Sequence, residues 1–462
     1  MTGRVVVVGG GLAGITAAIQ LRKAGMAVTL LESRPRLGGA ATSYARAGMM
    51  IDNGQHVFLR CCSSYRGLLD TLGVTELVAI QDRFDVTVLS AAGRARLRRM
   101  ALPSPLHLAY ALARYRLLSL PERARVARAA LAFRSAEPDS PVLDAWPLGN
   151  WLAARGQDER ARRRLWDLFI VSALNIGGDD ASTALAATVI KTALLGAADA
   201  ADIGMAKVPL SELHTDASLR QLGRLGAQVR LGARATSLER LPGGGFRVGL
   251  LHRAQAQSLA ADGVILAVPA DQAARLAAGA GIVQAASWDG LGCSPIVNVH
   301  VIYDRRVTEL PFAAAVESPV QWVFDKTSQA GLQSGQYLAV SISAADSAID
   351  LPAAVLRQTF VPALEQLFPA AARASIADFF VTRERRATFR QGPGCGTLRP
   401  GAATSVPGLA LAGAWTATGW PDTMEGAVRS GHQAARELTR ALAAPPSASR
   451  AAELDAAWSG TS

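Results

Sequence analysis

Apolar and polar positions along this chain repeat with two different periods. Val5–Val8 is an unbroken apolar run that stops at Gly9-Gly10-Gly11. A short apolar run closed by a turn signal predicts a buried strand. A helix over 13–24 and a second strand over 27–32 complete a βαβ unit. Residues 97–134 read as helical. Leu106, Tyr110, Ala113 and Leu117 follow helical spacing, and a second helix from Pro121 puts Val126, Ala130 and Phe133 on one face. Further helices are expected at 158–174, 182–196 and 209–224. Gln228–Leu231, Arg234–Glu239 and Phe246–Leu251 read as strands, the last two joined by a hairpin at Gly243-Gly244-Gly245. Gly263–Val268 is an apolar strand stopped by Pro269, and 295–303, 320–325 and 336–343 predict a second sheet. A helix at 352–368, a strand at Leu409–Ala412 and a helix at 423–441 close the fold. The Ala/Ser/Pro-rich tail after 443 reads as frayed.

This order predicts an α/β fold. The first βαβ unit and the last strand–helix pair read as one Rossmann-type nucleotide-binding domain in three pieces, 1–80, 205–272 and 401–442. A mostly helical region at 81–204, facing substrate or membrane, and a mixed-sheet substrate domain at 273–400 form the α+β insertion. Residues 443–462 are expected to be a flexible tail.

Composition narrows the class. At 462 residues and 50% hydrophobic, the chain has the apolar content for several cores, which excludes disorder for most of it. Four cysteines, of which Cys61 and Cys62 are adjacent, exclude a disulfide-stapled secreted module and suggest free thiols in a reducing cytoplasm. No apolar run reaches the roughly 18 residues a membrane span needs. The net charge is +11, but the segment from Arg94 to Arg134 holds ten Arg, no Lys and one acid, Glu122, a local +9. The rest of the chain carries only +2. So local an excess is expected to serve peripheral docking on the anionic inner face of the cell membrane; the competing reading is a solvated basic helix face. No nucleic-acid partner is expected.

The chemistry begins at the first turn. Gly9, Gly11 and Gly14 match G-x-G-x-x-G between strand and helix, and Glu32 ends the second strand 18 residues after Gly14. Gly9 permits the tight turn, Gly11 lets backbone approach a pyrophosphate, and Gly14 lets helix pack on strand. A carboxylate at Glu32 is placed to accept from ribose hydroxyls. Arg36 and Gly38-Gly39 then supply a second phosphate clamp, a pattern that points to FAD rather than NAD.

Here the chain resembles FAD-dependent amine oxidases and phytoene-desaturase-like enzymes. Asp52-Asn53-Gly54-Gln55-His56, after Gly48, is similar to the signature of hydroxysqualene dehydroxylases, the squalene-associated FAD enzymes of bacterial hopanoid synthesis. Pro105-Leu106-His107-Leu108, Ser172-Ala173-Leu174-Asn175 and Gln321-Trp322-Val323-Phe324-Asp325 agree. So does the run from Leu411 to Gly419 with Pro421 and Thr423–Gly431. The resemblance spans about residues 4–440. One departure is Ala414, where similar proteins carry an Asp near the ribitol and phosphates; Trp420 and Asp422 also differ from the usual residues around Pro421.

The resemblance implies an amine oxidase-like two-domain flavoprotein with FAD as cofactor. It would be held by Gly9, Gly11, Leu12, Ala13 and Gly14 at the first turn, and by Glu32, Ser33, Arg36, Gly38, Gly39 and Ala40 around the ribose and second clamp. Gly54, Gln55 and His56 would lie beside the flavin, the Ala235 backbone at adenine, and Gly413, Ala414, Thr423, Met424 and Ala427 along the ribityl and flavin. The start of the last helix would favour the negative charge of reduced flavin. The implied reaction takes the lipid hydroxysqualene and reduced FAD to squalene, water and oxidised FAD, with an electron donor the sequence does not name. Hydroxide leaves poorly, so a general acid is expected. His56 is the first candidate, because histidine titrates near neutrality; its alternative is a cofactor-shell hydrogen bond. Asp422 and Glu425 are weaker candidates, and His107 is expected at the surface. Two other functions stay open: a carotenoid-type desaturase, and a non-redox prenyl-lipid carrier like the Rab GDP-dissociation inhibitors.

Overall fold

The structure is a computed structural model that describes residues 3–443. The expected tail after 443 lies outside the described residues. A five-stranded parallel sheet forms the nucleotide-binding domain, in the order Gln228–Leu231, Ala27–Glu32, Arg4–Val8, Gly263–Leu266, Leu409–Leu411. Val5–Val8 is buried throughout because the sheet is covered on both faces: Val5 and Val7 cluster with helix Leu12–Lys23, and Val6 and Val8 with Phe246, Val248 and Ala261 of an antiparallel meander. Strands from the three chain segments 1–80, 205–272 and 401–442 therefore share one sheet. Helix Leu12–Lys23 packs along helix Met424–Ala443; a Cβ on Gly431 would lie 2.3 Å from the Ala13 carbonyl oxygen, so glycine sets that close approach. A three-stranded antiparallel meander, Ala233–Arg240, Phe246–His252 and Gln255–Ala261, links two strands of the parallel sheet.

The second domain is built on a seven-stranded sheet. Its order is Ile376–Thr388, Ser294–Tyr303, Gln336–Ile342, Trp322–Asp325, Phe312–Ala315, Asp85–Ser90, Gly93–Arg98. Side chains alternate across it with period two. On Ser294–Tyr303, Val297, Val299 and Val301 pack on one side with Leu356, Phe360 and Leu364 of helix Ala353–Leu367. Ile302, on the other side, packs with Met49 and Ile51 of the hairpin Ser43–Arg46/Met49–Asp52, beside the nucleotide domain.

The helical reading of 97–134 needs correction. Gly93–Arg98 is a strand in a hairpin with Asp85–Ser90, in which Ala95 and Leu97 turn inward and Arg94, Arg96 and Arg98 outward. Within it α-helix is confined to Ala109–Ala113 and Leu120–Ala132, the second capped by Ser119 and Glu122, with 3-10 turns at Leu106–Leu108 and Phe133–Ser135. Of the first stripe, Leu106, Tyr110 and Ala113 face outward and only Leu117 faces in. Ala111, Tyr115, Leu117 and Leu118 are buried, while Leu106 and Tyr110 are 55% and 49% exposed. In the second helix Val126 and Phe133 do point inward as expected, with Ala129 between them. Several strands went unread, among them Asp85–Ser90, Gln255–Ala261, Phe312–Ala315 and the long edge strand Ile376–Thr388, whose Arg and Glu residues disguise it.

Candidate active site

The site lies at the carboxyl ends of the parallel strands, where open α/β sheets bind ligands. Gly9 leaves the central strand at φ +108°, and its N–H donates to Leu31 O at 2.8 Å. A Cβ on Gly9 would stand 2.2 Å from Ala267 O, and one on Gly14 1.9 Å from Gly9 O. Gly11 differs: the nearest atom to a Cβ there would be Gly39 Cα, 3.9 Å away. Its flank is open, the cradle a pyrophosphate needs. Leu12 and Ala13 open the helix, so their N–H groups face that space without intrahelical partners. Gly38 N–H donates to Gly10 O at 2.8 Å and Gly11 bridges Gly38, which lays the second clamp on the first. Arg36 carries a buried Nε with no protein acceptor. A guanidinium left so is matched to a phosphate.

Glu32 is buried and already oriented. Its Oε2 accepts from Gly10 N–H at 2.7 Å; its Oε1 accepts from Arg34 N–H at 2.7 Å and from the Ser33 hydroxyl at 3.1 Å. Oε2 keeps a lone pair for ribose. Ser33 thus acts through Glu32. Gly232 N–H donates to Arg34 O at 3.1 Å, and three residues on, Ala235 sits at an irregularity of its strand.

The next group gathers around Gly54, at φ +114°. Asn53 N–H donates to Thr42 O at 2.8 Å and its side chain donates to Ala40 O at 3.2 Å, which ties this loop to the second clamp. The His56 ring nitrogen Nε2 lies 3.4 Å from Asn53 O. Burial holds the His56 imidazole below its usual pKa, with Asp52 opposing the shift. Asp52 is itself fixed: it accepts from Lys326 Nζ at 2.9 Å, Gln329 at 2.8 Å and the Ser43 hydroxyl at 2.7 Å. Both ends of the Gln55 amide are buried without a partner. From the other domain, Asn298 approaches. Its Nδ2 would be 3.9 Å from a Cβ on Gly54, and its Oδ1 is buried and unpaired.

The closing motif follows the carboxyl end of the last parallel strand, Leu409–Leu411. Gly413 N–H donates to Ser430 Oγ at 2.8 Å. Ala414 is buried, and its Cβ lies 3.5 Å from where a Gly426 Cβ would be. The Thr423 hydroxyl accepts from Gly426 N–H at 3.2 Å and caps the last helix, with Met424 and Ala427 in its first turns. Arg399, which sequence reasoning missed, organises this loop. Its buried guanidinium donates to Ala414 O at 3.0 Å, to Thr416 O and to Trp420 O at 2.8 Å. Asp422 accepts from Phe389 N–H at 2.9 Å, and burial pushes its carboxyl up to about 6.

Two expectations are corrected. Glu425 is completely engaged: it accepts from Tyr65 N–H at 2.7 Å, Ser64 N–H at 3.2 Å and Arg429 at 2.7 Å, so it caps helix Ser63–Leu72 and is no free acid. His107 is no surface residue. It is 0% exposed, and neither ring nitrogen has a partner.

The open flank of Gly11, the unpaired Arg36 Nε and the unpaired Gln55 amide fit FAD. Together the fold and this cleft define a two-domain FAD-dependent oxidoreductase. The chain belongs to the flavin-containing amine oxidoreductase family, whose pattern matches residues 12–439. Within that family it is 30% identical over 451 residues to the hydroxysqualene dehydroxylase of Rhodopseudomonas palustris, covering 94% of this chain and 98% of that protein. The hydroxysqualene dehydroxylase of Sinorhizobium fredii is 29% identical over 446 residues, with 94% and 98% covered. Cyclohexylamine oxidase from Brevibacterium oxydans superposes with a TM-score of 0.71 at 19% identity, over 96% of this chain and all of that one.

Proposed function

We propose that this oxidoreductase removes the hydroxyl of hydroxysqualene to give squalene. The observation that carries the reading is the end-to-end similarity to two hydroxysqualene dehydroxylases. The substrate sheet supports it. Phe312, Trp322 and Phe324 form a run of aromatic rings with centroids 6.2–6.3 Å apart, an apolar floor for a hydrocarbon. Bound FAD, once reduced, supplies the hydride. The residues named above hold it: the Gly11 flank and Arg36 at the phosphates, Glu32 at a ribose, and the loop pinned by Arg399 at the ribityl chain.

The remaining work falls to side chains. The carbon losing oxygen neighbours a double bond, so its departure leaves an allylic cation. The electron-rich faces of Trp322 and Phe324 stabilise such a cation by about 0.5–2 kcal/mol each. His56 serves as the hydrogen-bond donor and acid at the leaving oxygen. The same enzyme reaches its lipid by docking on an anionic membrane through the basic segment. Anaerobic incubation with chemically reduced flavin and hydroxysqualene tests the reading. Squalene as the product is expected. A dehydrogenated product from squalene or phytoene, with hydroxysqualene untouched, would replace it with a desaturase.

A further inference from the structure

We infer that Asn298 is the seat for the single polar atom of the substrate, and so the residue by which the site tells a hydroxylated isoprenoid from the bare hydrocarbon. The inference rests on the dehydroxylase reading and names a residue for it.

The argument starts from period two. Ser294–Tyr303 is buried on both faces. Its far face is valine, at Val297, Val299 and Val301, and packs on the Ala353–Leu367 helix. Its near face carries Asn298, in register with Ser341 and Thr382 on the flanking strands, and His300. Two polar side chains in such a strand each need a partner. His300 has two: Nδ1 lies 2.7 Å from the Tyr337 hydroxyl and Nε2 3.0 Å from Thr382 Oγ1, with the ring stacked on Phe380. Asn298, 2% exposed, has an Oδ1 with none. The structure therefore pairs His300 within the protein and leaves Asn298 Oδ1 unpaired, as it leaves the buried Ser294 and Tyr303 hydroxyls; of these groups Asn298 lies beside Gly54, where something can enter.

What enters is set by the neighbours. Across the sheet Asn298 pairs in register with Ser341, and Ser341 with Trp322; the adjacent row runs from His300 through Ala339 and Phe324 to Phe312. Asn298 thus lies at the polar end of the aromatic floor. Across the cleft it faces Gly54 and His56. A long hydrocarbon with one hydroxyl matches this layout: rings along its length and a carboxamide at its oxygen. An amide can accept the hydroxyl hydrogen and donate to the same oxygen.

The test compares Asn298→Val, which suits the strand, and Asn298→Ser, which keeps a smaller polar group, with the flavin-loaded parent. Ligand binding is read from perturbation of the flavin absorbance by hydroxysqualene and by squalene in detergent, so turnover is not required. The parent is expected to bind hydroxysqualene about tenfold more tightly than squalene. Asn298→Val should bind both alike, with flavin content and melting temperature unchanged, and Asn298→Ser should recover part of the preference. Undiminished preference in Asn298→Val overturns the assignment, as does a parent without preference. Loss of flavin in both variants also overturns it, by making Asn298 a cofactor ligand. A parent that discriminates but forms no squalene leaves Asn298 in place and removes the dehydroxylase reading instead.

Discussion

At the scale of single residues, the glycine turn and the imidazole give separable outcomes. Gly11→Val fills the open flank with a branched side chain, so the purified protein should be colourless. Glu32→Ala removes the acceptor offered to a ribose and the anchors of Gly10 and Arg34, but nothing on the open flank of Gly11, so it should weaken FAD less. The ratio of flavin to protein absorbance checks both, and full flavin in Gly11→Val would reassign the turn. For His56 the sign follows from burial, which holds its pKa below 6.5. The protonated form gains population as pH falls through that lowered value, so the rate of hydroxyl loss should rise on acidification from neutrality. His56→Ala should keep flavin, lose at least a hundredfold in turnover and lose this acid-side rise, consistent with typical general-acid contributions. A variant as fast as the parent at neutral pH would leave His56 as a cofactor-shell residue. The phosphate glycines, Glu32 and Arg36 were legible because their geometry is local to one strand–turn–helix unit. Asn298 was half legible: the run Val297-Asn298-Val299-His300-Val301 breaks an apolar strand with polar residues on one face. Arg399 gave no such signal, because the carbonyls it holds lie 15 or more residues away along the chain.

At the scale of elements, the last helix does two things. Its start is capped by Thr423, and Glu425 reaches across to the start of helix Ser63–Leu72. Glu425→Ala would strand two backbone N–H groups and the Arg429 charge. The expected loss is about 3 kcal/mol, seen as a lower midpoint in urea. Glu425→Gln keeps an acceptor and should retain turnover per bound flavin. A well-folded Glu425→Gln without turnover would return the carboxylate to the chemistry. Periodicity predicted the Rossmann strands and the terminal helix well, since the strands are short apolar runs closed by turn signals and the helix is long with one pattern. It failed at Gly93–Arg98, where Arg-Ala-Arg-Leu-Arg alternates with the period of a strand but sits next to a helical stretch. The partner that decides the matter, Asp85–Ser90, is contributed by pairing rather than by the segment itself.

At the scale of the whole molecule, the basic excess becomes a question of which arginines remain available. Much of the +9 is neutralised by acids outside the segment. Arg96 and Arg98 meet Asp85, Arg99 meets the buried Asp202, and Arg125 meets Asp158. Glu122, the segment's one acid, pairs with Arg160 instead. Arg94, Arg114, Arg116, Arg128 and Arg134 stay exposed, with no carboxylate partner among the described residues. Beside them lie apolar side chains that the fold turns outward: Met100, Leu102, Leu106 and Tyr110, with Arg114 over the Tyr110 ring. No helix among the described residues is long and apolar enough to cross a membrane. Exposed apolar residues in the same segment as free arginines suit a surface that lies in the headgroup region, as monotopic helices do. Each basic residue near an anionic surface adds about 1 kcal/mol. Arg94, Arg114 and Arg116 changed together to Gln should therefore reduce partitioning onto phosphatidylserine vesicles about a hundredfold. Parent binding should fall steeply between 0.05 and 0.5 M salt, since the Debye length is about 8 Å at physiological ionic strength. Leu102, Leu106 and Tyr110 changed to Ser should weaken binding to neutral and anionic vesicles alike, because burial of apolar area does not depend on lipid charge. Co-sedimentation measures all three. Changing Arg99 would be a poor probe, as it would leave Asp202 buried without one of its partners and perturb the fold itself. Equal partitioning of the Arg94/Arg114/Arg116 variant and the parent would reduce the basic segment to a solvated face, and the lipid would have to reach the cleft by another route.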